Sequence, residues 1–112
     1  MNTTDKNFHT NRILKIKMNS IVMEMFFETE NKMSFTIIEG GERIDNGYTE
    51  TVETKIIKLR TNLFLITWKE ISGTTISQIQ DLENKLVYTN ITMNSGKFYQ
   101  TTGTITQSIL TF

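Results

Sequence analysis

The sequence has no cysteine and no proline. The first absence removes disulfides, thiolate metal ligands and cysteine nucleophiles together, and it fits a reducing compartment. The second leaves no proline-marked linker, and no repeat or low-complexity block divides the chain, so its 112 residues form a single domain with one core. Histidine is almost absent. His9 stands alone in a polar segment with no partner for metal binding or catalysis, so neither a cofactor nor a metal is expected. Charge of one sign is missing too: twelve basic residues balance twelve acidic ones, and no field draws the protein to nucleic acid or an anionic membrane. Long hydrophobic runs are lacking; Ile21-Val22-Met23 is cut by Glu24, and the polar stretch Met1 to Thr10 has no apolar signal. A cytoplasmic location is therefore expected, which leaves the Asn-x-Thr triplets at Asn2 and Asn90 without meaning as glycosylation acceptors.

What the chain has is β-branched and aromatic residues in short runs between turn residues. Leu63 to Glu70 reads as a strand. Ile71-Ser72-Gly73 suits a three-residue hairpin loop with glycine in the left-handed position. Thr74 to Leu82 returns, Glu83-Asn84-Lys85 turns, Leu86 to Met93 runs out, and Asn94-Ser95-Gly96 leads into Phe98 to Ile109. Earlier strands are expected over Arg12 to Lys17, Ile21 to Phe27, around Met33, Phe35 and Ile37, and over Thr51 to Leu59. Residues 1–11 are left as a flexible segment or a short helix. About eight strands with short connections predict an all-β fold, a small antiparallel up-and-down barrel.

Such a barrel is either filled or holds one small ligand. The hairpin register pairs Trp68 with Ile76, Ile66 with Gln78 and Phe64 with Gln80. One face then carries Phe64, Ile66, Trp68, Glu70, Ile76, Gln78 and Gln80, and the other Leu63, Leu65, Thr67, Ile79 and Asp81. Both are mixed, so alternation does not decide which points inward. Met23 and Met25 share a face and suit either a core or an adaptable pocket. Lys15 and Lys17 share another, as a charged edge strand or as an anion-binding pair inside the barrel. Trp68 reads as a core anchor or a ligand platform. Glu70 is either a solvated strand end or a carboxylate at the barrel mouth, where desolvation would raise its pKa.

The stretch from Leu63 to Thr75 resembles the central hairpin of the molybdenum-cofactor biosynthesis protein F-like (MoaF-like) domains. The resemblance continues through Gln80 to Ile91, Gly96-Lys97-Phe98 and Gly103-Thr104, and covers about Ile21 to Ile105. The family pattern has glycine where Lys85 stands, so that turn departs from it. The resemblance implies a calycin/lipocalin-like barrel with a ligand-sized cavity. A more distant likeness runs to the phenolic acid decarboxylases, through Ile56 to Leu59 and Trp68-Lys69-Glu70. It implies that Trp68, Glu70 and Ile76 face inward, with Ile91 and Met93 lining the cavity and Glu70 at the place of a catalytic glutamate. Where those enzymes grip a carboxylate with two tyrosines and an arginine, this chain has Lys15, Lys17 and Gly47, which argues against the same decarboxylation.

The leading expectation is a non-enzymatic barrel binding a small apolar or aromatic molecule, such as a carboxylate. Its lining would come from Lys15, Lys17, Met23, Met25, Trp68, Glu70, Ile76, Gln78, Ile91 and Met93. The alternatives are a small lyase or isomerase with Glu70 as general acid or base, and a filled barrel acting through its surface. A homodimer would suit the last, through an apolar strip such as Leu63, Leu65 and Ile79.

Overall fold

The computed structural model describes the backbone of residues 12–109 and the side chains of residues 12–106. The expectations for His9 and an N-terminal helix lie outside these residues. Eight strands form: β1 Arg12–Met18, β2 Ile21–Thr29, β3 Lys32–Glu39, β4 Thr49–Arg60, β5 Leu63–Lys69, β6 Thr75–Asp81, β7 Leu86–Thr92 and β8 Phe98–Ile109. Each pairs antiparallel with the next, and β1 also pairs with β8, so the sheet closes on itself. This is the all-β up-and-down barrel expected, compatible with a calycin/lipocalin-like fold. Among the described residues no helix is long and apolar enough to cross a membrane.

Alternation of side chains across the sheet explains the burial. In β5, Phe64, Ile66 and Trp68 are buried, while Leu63, Leu65 and Thr67 between them are half-buried on the outer face. The pairings Trp68 with Ile76, Ile66 with Gln78 and Phe64 with Gln80 form in the expected register. Two turns hold it. Glu70 N donates to Thr74 O at 2.8 Å and Gly73 N to Glu70 O at 2.9 Å, with Gly73 at φ 96°. The β7–β8 turn repeats the pattern, with Gly96 at φ 94°. At positive φ a side chain would clash with the backbone, so glycine fits both places.

Because every connection is a hairpin, the loops alternate between the two ends of the barrel. The β1–β2, β3–β4, β5–β6 and β7–β8 loops share one end, here called the mouth. Towards the opposite end the described side chains close together, with Leu14, Met25, Phe27, Met33, Phe64, Ile66 and Val87 almost wholly buried. Burying such side chains contributes about 1.5–3 kcal/mol each relative to leaving them in water. Gln78 and Gln80 also point inward, which is why alternation in the sequence did not separate the faces. They are satisfied in a chain: Gln80 Nε2 donates to Gln78 Oε1 at 2.7 Å, and Gln78 Nε2 donates to Thr89 Oγ1 at 3.1 Å.

The seam between β1 and β8 is tight. A Cβ on Gly103 would lie 2.1 Å from the Lys17 carbonyl oxygen, so only glycine lets the strands meet there. Closure also corrects the edge-strand reading of Lys15 and Lys17, because β1 is paired on both sides and has no free edge.

Candidate functional site

Above the packed half, the interior opens into a cavity of about 380 Å³ reaching the mouth. Met23, Ile37, Trp68, Ile76 and Ile91 form apolar walls, and Gln78 and Thr89 are the polar side chains at depth. Strand alternation puts them there. Trp68 and Ile76 are cross-strand partners, and Ile76 in turn pairs with Ile91, so three adjacent strands present one continuous wall.

The polar chemistry sits at the rim. Glu70 follows β5 by one residue, and its Oε2 accepts the Trp68 indole N–H at 3.2 Å. Glu50, on the inward face of β4, accepts the Tyr48 hydroxyl on Oε1 at 2.8 Å and the Ile71 backbone N–H on Oε2 at 2.6 Å. Since Ile71 follows Glu70 in the chain, this second bond carries Glu50 across to the β5–β6 turn and brings its carboxylate within electrostatic reach of Glu70. Burial pushes the Glu70 pKa above the ordinary carboxylate range; the Trp68 hydrogen bond works against this, and the charge of Glu50 adds to it. Donating to Glu50 raises the Tyr48 pKa in turn, helped by burial and by both carboxylates. Arg43, from the β3–β4 loop, lays its guanidinium over the Tyr99 ring, 4.9 Å from the centroid. Asn46 Oδ1 accepts the Gly40 N–H at 3.0 Å and folds this loop on itself.

The structure brings together Met23, Trp68, Glu70, Ile76, Gln78, Ile91 and Met93 of the expected lining. Met25 lies deeper, wholly buried, with its sulfur 3.8 Å from Gln80 Nε2, and belongs to the packed half. Lys15 and Lys17 do not enter at all. Leu14, Ile16 and Met18 take the inward positions of β1, so the lysines project outside, where they flank a shallow groove with Val22, Ile38 and Thr104. Among the described residues no ion pair joins either lysine to Glu70. Glu70 takes the mouth position rather than the solvated one.

Glu50, Tyr48, Arg43 and Tyr99 are rim residues that the sequence reading missed. Glu50 shares its face with Val52 and Thr54, both buried, so extending the β4 alternation two residues back would have found it. The other three lie at strand ends and in a loop, where no periodicity marks direction. On the outer face, Ile57, Leu65, Ile79 and Tyr88 pair in one row across four strands, widening the apolar strip expected at Leu65 and Ile79.

Comparison with known proteins agrees with this architecture. No curated protein matches the sequence. A crystal structure of a "putative beta-lactamase" from Burkholderia vietnamiensis superposes with a TM-score of 0.82. The alignment covers 90% of this chain and 96% of that one at 19% identity, a likeness that speaks for the fold. The MoaF-like family profile matches residues 10–106. With the match spanning nearly every strand of the barrel, the chain belongs to the MoaF-like family.

Proposed function

We propose that this protein binds a small, mostly apolar molecule in the upper half of the barrel, entering through the mouth. The observation that carries the reading is the division of the interior. Towards the far end the described side chains are almost wholly buried, whereas the mouth half keeps about 380 Å³ of space behind apolar walls with a few polar groups at the rim. That volume is within the range of small-ligand sites, and the pattern of walls and rim is theirs also. The lysine pair that pointed to a carboxylate ligand lies outside, so the ligand's polar group has to be argued from the rim.

The test is titration with N-phenyl-1-naphthylamine, an uncharged dye that brightens in apolar surroundings. Saturable binding is expected in the parent, and loss of it in Ile91→Trp, which fills the cavity, with an unchanged circular dichroism spectrum. If the dye binds both proteins alike, the cavity is not the site.

A second reading has Glu70 as a general acid. A carboxyl group whose pKa is raised by burial holds its proton to higher pH than an exposed one, as a general acid must. Turnover of a phenolic acid, abolished in Glu70→Gln, would favour it over simple binding. Full turnover in that variant would remove it.

A further inference from the structure

Two carboxylates stand at the rim of an apolar cavity, and among the described residues neither has a basic side chain within 4.0 Å; the ion pairs among those residues, Lys32–Glu28 and Arg60–Glu83, lie away from the cavity. This is unusual, because charges removed from water are ordinarily matched by opposite charge. Glu50 is fixed in place, each oxygen holding a donor. Glu70 differs. Its Oε2 takes the indole N–H, while its Oε1 has no hydrogen-bond partner among the described residues, in a side chain that lines the cavity.

The aromatic side chains point the same way. Trp68, Tyr48, Tyr99 and Phe35 all border this space, and the faces of such rings attract cations. One ring already holds a cation: the Arg43 guanidinium sits over Tyr99 rather than on either glutamate. The strands add nothing of opposite character, since the lining from β1, β2, β6 and β7 is uncharged and Lys69 is exposed beyond the β5 wall.

We infer that the ligand is a small apolar amine, bound as its ammonium ion, with the charged end between Glu70 and Glu50 and the hydrocarbon part in the cavity below. This rests on the binding reading above and names its ligand class. The ammonium would donate to the open Glu70 Oε1 and to the outer lone pairs of Glu50, with the Trp68 ring beside it. The groups that set the pH response are those facing Glu70: Glu50 from β4, Tyr48 and Arg43 from the β3–β4 loop, and Tyr99 from β8. Burial raises the pKa of Glu70. Ammonium binding needs it ionised, so affinity rises as pH rises through its pKa. A carboxylate ligand would give the opposite slope, since it would prefer the protonated acid.

Three probes of one shape separate these cases: 4-phenylbutylamine, 4-phenylbutanol and 4-phenylbutanoate, followed by fluorescence of Trp68, the only tryptophan. At pH 7.5 the amine is expected to bind about tenfold more tightly than the alcohol, the worth of one charge-assisted hydrogen bond. Its affinity should fall as pH is lowered through the raised Glu70 pKa, while that of the alcohol stays level. Glu70→Gln, which keeps an acceptor for Trp68 and the same volume, should bring the amine down to the alcohol and leave the alcohol unchanged. Glu50→Gln serves as a second variant if the first fails to fold. Equal binding of amine and alcohol, unaffected by either substitution, overturns the inference while leaving the binding reading intact. Tightest binding of 4-phenylbutanoate, strengthening as pH falls, also overturns it. If none of the three binds, the binding reading fails and the inference falls with it.

Discussion

Trp68 and Glu70 are joined by a hydrogen bond from indole N–H to carboxylate, 3.2 Å long, across a residue whose own side chain points away from the cavity. The two are therefore coupled: the ring that forms part of the wall also steadies the charge at the rim.

Trp68→Phe keeps the ring and deletes the donor. The hydrogen bond holds the Glu70 pKa down against burial and the charge of Glu50, so its loss should raise that pKa further. Carbon-detected NMR of the Glu70 carboxyl reads this directly, and an unchanged or lower midpoint would sever the link. Trp68→Ala removes the ring as well and should cost about 3 kcal/mol of stability in urea unfolding.

Glu70 also leaves a mark on stability against pH. Its folded pKa lies above the unfolded value, so between the two the folded state holds more proton than the unfolded chain. Stability from this group is then greatest at low pH and declines as pH rises through the folded pKa. Glu70→Gln cannot titrate, and the variant should gain on the parent as pH rises from the ordinary carboxylate range through the folded Glu70 pKa. Parallel stability curves for the two proteins would show that Glu70 is not desolvated as described.

Lys85 adopts φ 60°, in the left-handed region, at the position where the family pattern has glycine. The turn is held from both sides: Asp81 accepts the Asn84 backbone and side-chain N–H groups at 3.0 and 2.8 Å, and the Lys85 carbonyl accepts the Ile105 N–H. The conformation survives the loss of glycine because these bonds impose it, at some cost in strain. Lys85→Gly should raise stability by about 1 kcal/mol, less a part for the added freedom of the unfolded chain. A less stable variant would mean the lysine side chain makes a contribution larger than the strain.

How much of this could be read beforehand follows from what local sequence encodes. The register of the β5–β6 hairpin was legible, because Gly73 fixes the turn and the turn fixes every pairing behind it. The inward face was not, because Gln78 and Gln80 are buried in each other's company and imitate a solvent-facing pattern. Lys15 and Lys17 were misplaced for a related reason. A strand that alternates lysine with isoleucine looks the same at an edge, inside a barrel mouth or outside a closed wall, and only closure with β8 tells which. The rim at Glu50 and Tyr48 comes from the start of β4 meeting the β5–β6 turn, a long-range meeting that no window of the sequence contains.

The divided interior has a consequence for how this protein can change. Residues towards the far end, such as Phe27, Phe64 and Val87, hold the architecture without lining the cavity. Those towards the mouth contribute less to cohesion, since they border empty volume. Chains sharing this scaffold are therefore free to exchange rim and wall residues, acquiring new chemical preferences one substitution at a time while the same foundation goes on folding beneath them.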